Sequence, residues 1–259
     1  MKTVLLLLAL TFTAVVAQTR TAAPTQKTNQ VLADFRISRV SPPPKISVQT
    51  QRNVLSKVFR RYLDDSSKCS ADFDSGSSSD PLRAARSAGQ IVPSIVDMAT
   101  GSFTSAGVSQ TAYVISVSEC NASHADNFGT KRVAIFSGPQ LVSDVDVDFN
   151  SSIVRKTDLN GDGLDELLMS TGDMHQGILT ETASLLSFQN GKMRVIQDFG
   201  LVDEDQCASE EPGSVTKASV ISIVPAGPGD MPKLRQDNYR SSCTKAKRWR
   251  FLSTGKMPD

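Results

Sequence analysis

The 259-residue chain has no surplus of either charge: 28 Lys+Arg face 27 Asp+Glu. Nucleic-acid binders usually carry a strong basic excess, so that class is excluded as the default. Aromatics are scarce at 6%, with a single Trp, and histidine occurs only twice, at His124 and His175. Paired histidines at metal-ligand spacing are therefore missing, and so are Cys-x-x-Cys pairs. The chain also lacks a Gly-x-Ser-x-Gly elbow, a His-Glu-x-x-His helix and the glycine-rich phosphate and dinucleotide loops, leaving no catalytic residue to name. No apolar run reaches the roughly twenty residues that a membrane helix needs. What is present, 39% hydrophobic residues, suffices for a folded body.

The longest apolar run opens the chain. Lys2 precedes Val4 to Val16, and Val15 and Ala17 supply small residues before a cleavage point. Residues 1–17 therefore read as an export signal, with the mature chain starting near Gln18. No Cys follows that point, so no lipid anchor is expected there. Without Lys2 the mature chain holds 27 basic and 27 acidic side chains. A secreted or periplasmic protein follows, with no transmembrane segment in its mature part.

Export gives the four cysteines a meaning, because disulfides persist in oxidising compartments. Three connectivities are open to Cys69, Cys120, Cys207 and Cys243. The expected one is Cys69–Cys120 with Cys207–Cys243, which closes the shorter loops, each worth about 4 kcal/mol on the chain-entropy account.

Residues 18–46 are polar, aperiodic and stiffened by Ser41-Pro42-Pro43-Pro44, which suggests an extended linker. A single domain is expected over 47–259. It starts with one amphipathic helix over about 50–65, where Val54, Leu55, Val58, Phe59, Tyr62 and Leu63 share a face and Thr50 or Asn53 caps the start. Asp72 to Asp80 reads as a serine-rich flexible loop. From about Ile91 the pattern is β, with strands at Thr111–Ser118, Arg132–Phe136, Leu141–Phe149, Ala183–Phe188, Lys192–Phe199, Lys217–Val224 and Arg248–Leu252. Asn190-Gly191 between two of these runs predicts a hairpin, since both residues tolerate positive φ.

The chemistry-bearing stretch runs from Thr157 to Leu168. Oxygen side chains alternate at Asp158, Asn160 and Asp162, Gly163 permits a sharp turn, Leu164 offers a carbonyl and Glu166 closes the set. Hard oxygen donors in this number suit Ca²⁺. An EF-hand is excluded, because its twelfth position falls on Met169 and the flanks read as strands. Asp165 is expected to point outward. The alternative to a metal site is a turn that keeps this shape without an ion.

These residues resemble the calcium loop of FG-GAP/VCBS-type repeats. A degenerate copy lies 56 residues earlier, in Ser102 to Thr111. Phe103, Gly107 and Val108 stand where Leu159, Gly163 and Leu164 stand in the intact copy. Ser102, Thr104, Ala106 and Gln110 replace Asp158, Asn160, Asp162 and Glu166, so the turn survives while the anionic ligands are lost. The resemblance covers about residues 91–200 and implies two propeller-blade-like repeats. A closed propeller needs more blades than this length allows. The expected fold is mainly β: a small β-sandwich or partial propeller with one N-terminal helix.

Other clusters have simpler readings. Asp144, Asp146 and Asp148 alternate along one strand and read as a solvated face. Lys245, Lys247, Arg248 and Arg250 around Trp249 and Phe251 read as an edge strand with aromatics inward and charges outward. Asn121 and Asn150 begin glycosylation sequons that matter only in a eukaryotic host, and the repeat resemblance leans bacterial. Function is expected to be non-catalytic: a calcium-binding β module that binds a protein or glycan at the cell envelope. The alternative is a secreted hydrolase on a calcium-stabilised scaffold, with Asp144, Asp146 or Asp148 as its acids.

Overall fold

A computed structural model describes residues 30–37, 42–73, 79–120, 130–147, 152–209, 211–226, 232–244 and 247–257. The expected export signal, Asn121, His124, Lys245, Asp148 and Asn150 lie outside the described residues.

The body is mainly β, as expected, and is built from two antiparallel sheets. The smaller is a four-stranded meander of β2 (Ile91–Gly101), β3 (Gln110–Glu119), β4 (Lys131–Ser137) and β5 (Gln140–Asp146). The larger runs in sequence order through β6 (Ser152–Thr157), β7 (Glu166–His175), β8 (Ile178–Ser187), β9 (Arg194–Asp205), β10 (Val215–Val224), β11 (Lys233–Ser242) and β12 (Arg250–Thr254). It curls like half a barrel. The second repeat therefore does not close as a four-stranded blade; its sheet continues through the C-terminal strands.

Alternation along the strands explains the layers. Ala112 and Val114 of β3, with Val133 and Ile135 of β4, face Leu167 and Met169 of β7 and Leu186 and Phe188 across the gap between the sheets. The opposite face of the same strands, Ile115, Val117, Ala134 and Phe136, packs on Val54 and Leu55 of the helix α1 (Val48–Val58) and on Phe59 just after it. A third cluster fills the curl of the larger sheet, with Leu168, Ala183, Leu185, Phe199 and Ile221. The first half of β7, residues 166–170, is thus buried on both faces, which is why Leu167, Leu168 and Met169 are consecutive apolar residues, whereas its second half is largely exposed. Each fully buried Leu, Ile or Phe contributes about 1.5–3 kcal/mol.

Several expectations are corrected. Helix α1 stops at Val58, because Phe59 turns to extended backbone and Leu63 N–H donates to Ile91 O at 2.8 Å instead of continuing the helix. Its cap is Ser47, whose Oγ accepts from Thr50 N, not Thr50 or Asn53. A second helix, α2 (Pro81–Ala88), follows the serine-rich loop, with Asp80 as its cap, Pro81 in its first turn and Gly89 ending it at φ 75°. Part of the expected linker is a strand: β1 (Gln30–Asp34) pairs with β10 and buries Leu32 and Ala33. It takes the edge that β9 leaves when it departs after pairing only Thr216 to Ala218. At the C-terminus, Trp249 packs on the core, but Phe251 is 59% exposed, edge-on to Tyr239, so the aromatics do not all point inward.

Both disulfides pair as expected, Cys69–Cys120 and Cys207–Cys243, with Cα separations of 5.5 and 5.3 Å. The Asn190-Gly191 turn joins β8 to β9, and Asn190 adopts φ 56° as the hairpin requires. No helix among the described residues is long and apolar enough to cross a membrane.

Candidate metal centre

The segment 158–165 links β6 to β7, and 102–109 links β2 to β3, so each loop closes the first hairpin of its sheet. In the 158–165 loop the backbone winds around its own side chains. Asp158 accepts from Gly161 N through Oδ1 (2.8 Å) and from Gly163 N through Oδ2 (3.0 Å). Asn160 Oδ1 accepts from Asp162 N, and Asp162 Oδ1 accepts from Leu164 N at 2.8 Å. Gly163 has φ 84°, a left-handed conformation costly for residues with a Cβ. Leu159 and Leu164 are buried and pin the loop, while Asp158, Asn160 and Asp162 are exposed.

Glu166 differs from the other acids. It is 5% exposed, and its Oε2 accepts from Leu159 N at 2.8 Å. Burial pushes its carboxyl above the usual carboxylate range; the Leu159 N–H pulls it down, and the charges of Asp162 and Asp158 push it further up. Each carboxylate oxygen that accepts one hydrogen bond keeps a second lone pair. The five expected donors, Asp158, Asn160, Asp162, the Leu164 carbonyl and Glu166, thus belong to one turn, and this hard-oxygen set fits Ca²⁺ in chemistry.

The degenerate loop reproduces this scaffold without the charge. Gln110, at the position of Glu166, accepts from Phe103 N through Oε1 at 2.9 Å, as Glu166 accepts from Leu159 N. The same oxygen takes Thr104 N, and Gln110 Nε2 donates to Thr104 Oγ1 at 2.7 Å. Gly107 matches Gly163 with φ 72°. Val108 departs from the match, being 39% exposed where Leu164 is buried.

The two loops are also bonded to each other, which sequence reasoning missed. Asp165 does not point outward. Its Oδ2 accepts from Ser102 N (2.8 Å), its own N–H donates to Ser102 O (2.6 Å), and Lys156 pairs with it at 3.4 Å. A Cβ on Gly101 would meet that carboxylate and the Lys156 side chain, so any larger residue there has to displace the clamp. The only signal in the sequence was an acid next to a loop that had no need of it as a ligand.

Among the described residues, the remaining candidates lie apart from one another. Arg132 takes both Asp144 (2.8 Å) and Asp146 (2.6 Å), and Arg86 also approaches Asp146. His175 is exposed at the β7–β8 turn. Asp205 sits beside Cys207 and Cys243, but both sulfurs are consumed by their disulfide and offer no thiolate. Asp203 is pushed up to about 7 by burial and by the like charges of Glu181 and Asp205, against a smaller opposing pull from Lys247. No protein-family model matches the chain, and no match was found among curated proteins or solved structures.

Proposed function

We propose that this is an exported, non-catalytic β module of the FG-GAP/VCBS type, stabilised by one Ca²⁺ and acting by binding a protein or glycan outside the cytoplasm. Asp158, Asn160, Asp162, the Leu164 carbonyl and Glu166 would hold the ion, whose role is to neutralise crowded carboxylates and rigidify the turn. One observation carries the reading. At the same structural position one loop buries neutral Gln110 and the other buries Glu166 beside two further acids. Gln110 shows that an amide suffices for the turn, so the acid needs another reason, and a cation supplies it. Two disulfides support an oxidising location. Of the acids expected for the hydrolase alternative, Asp144 and Asp146 are bound to Arg132 and Asp148 lies outside the described residues.

Thermal unfolding with excess chelator and with millimolar Ca²⁺ tests this. Bound Ca²⁺ adds about 2.7 kcal/mol when free ion is a hundredfold above its Kd. Mg²⁺ rescues less well, because its small octahedral shell fits such loops poorly. Asp162→Ala abolishes the response, whereas Thr104→Ala in the other loop preserves it. Identical melting curves with and without Ca²⁺ would leave only a shaped turn.

A further inference from the structure

At the far edge of the larger sheet, residues directly opposite one another across four strands form a charged row. Glu204 of β9 faces Lys217 of β10, Lys217 faces Arg240 of β11, and Arg240 faces Arg250 of β12. Side chains directly opposite in an antiparallel pair project to the same face, and like charges placed so are destabilising. Glu204, the row's single acid, is already engaged: Lys217 holds its Oε2 at 3.1 Å and Gln206 its Oε1. Arg240 and Arg250 are left facing each other, both exposed, and Arg248, also exposed, precedes Arg250 by two residues just outside β12. Among the described residues none of these three guanidiniums forms an ion pair, although Arg235 on the same strand is bonded to Asp237.

The three arginines border a concavity of about 550 Å³ whose wall adds Ser241, Ser242 and Thr244. Ser242 and Thr244 flank Cys243, so the bond to Cys207 anchors that wall to the β9–β10 connection. A guanidinium presents a planar fork that matches two oxygens of a sulfate or phosphate group, and the hydroxyl of the exposed Ser242 adds a further donor. The volume exceeds what one ion fills and suits a disaccharide-sized body. We propose that this pocket binds a small carrier bearing two or more tetrahedral oxyanion esters, with Arg240, Arg248 and Arg250 as its anion-binding residues. The like-charge row is then a stability cost of the empty pocket, relieved when the ligand's oxyanions sit between the guanidiniums.

Titration calorimetry in calcium-free buffer tests this with sucrose octasulfate, inositol hexakisphosphate and unmodified sucrose. At least one ester binds and sucrose does not; which ester binds distinguishes a sulfate carrier from a phosphate one. Arg240→Gln combined with Arg250→Gln weakens binding by roughly tenfold or more, whereas Arg235→Gln leaves it within about twofold. Arg250→Glu creates an opposite-charge pair with Arg240. It therefore raises the melting temperature of the ligand-free protein by about 1–2 °C while abolishing binding. Failure of both esters to bind overturns the proposal. So does an equal loss in Arg235→Gln, full binding by Arg250→Glu, or a lower melting temperature in that variant.

Discussion

The loops 102–109 and 158–165 share a left-handed glycine, a buried apolar residue at the second position and a buried side chain that accepts that residue's N–H. They differ in charge: Ser102, Thr104, Ala106 and Gln110 stand against Asp158, Asn160, Asp162 and Glu166. The comparison separates two requirements that a calcium-type loop merges. Shape needs a glycine, an apolar anchor and one inward acceptor, and an amide meets the last need as well as a carboxylate. Charge is an addition that destabilises the loop by itself, since burial and two neighbouring acids oppose ionisation of Glu166.

The largest effect should come from the anchors. Phe103 is fully buried between the sheets, whereas Leu159 is 7% exposed at the margin of the curled sheet's core. Phe103→Ala is expected to cost about 3–5 kcal/mol and Leu159→Ala about 2–3 kcal/mol in denaturant unfolding. The reverse order would break the idea that the degenerate loop is the more deeply anchored.

Exchanging the inward acceptors is the sharper experiment. Gln110→Glu keeps the acceptor for Phe103 and Thr104 but buries a charge with no cation; it should cost about 1–3 kcal/mol at neutral pH. Glu166→Gln should stabilise the chelator-treated protein and erase its calcium response. A Glu166→Gln variant that still melts higher in Ca²⁺ would remove Glu166 from the ligand set.

The pH dependence has a definite sign. The folded state holds the Glu166 proton to higher pH than the unfolded chain, whose ordinary value is 4.5. In chelator, the stability due to this group is therefore complete below about pH 4.5 and is lost as pH rises through the raised folded value. Glu166→Gln should flatten that slope, and no equivalent slope is expected from the other loop, where Gln110 does not titrate. Urea titrations across pH 4–8 measure it.

The smallest effect belongs to the clamp between the loops. Asp165→Ala leaves the half-buried Ser102 N–H without its acceptor and should cost about 1–2 kcal/mol. The calcium response should persist, because Asp165 is outside the proposed ligand set. Loss of that response would show that the loops act as one unit.

What could be read beforehand was local. Asp158 to Glu166 announces its turn within nine residues, because Asp158, Asn160 and Asp162 each accept from backbone N–H groups two to five positions away. Asn190-Gly191 did the same for the β8–β9 hairpin. Helix α2 was legible in principle, since Asp80-Pro81 and Gly89 are start and stop signals, but eight residues with one fully buried side chain carry little periodicity. Strand β1 was hidden by its polar surroundings. It is held by the stretch of β10 that β9 leaves unpaired and by burial of Leu32 and Ala33.

The mainly β character, the turn around Asp158 and its degenerate copy could be read from the chain alone, because they depend on alternation and on hydrogen bonds between near neighbours; the cysteines left three pairings open, and the fold selected Cys69–Cys120 and Cys207–Cys243. Tertiary structure alone decided that Asp165 reaches Ser102 across 63 residues and that β1 completes the β10 edge. It also decided that Arg240 and Arg250 face each other with no acid between them. Those outcomes follow from strand register and sheet curvature, which bring distant residues together at spacings that no local pattern encodes.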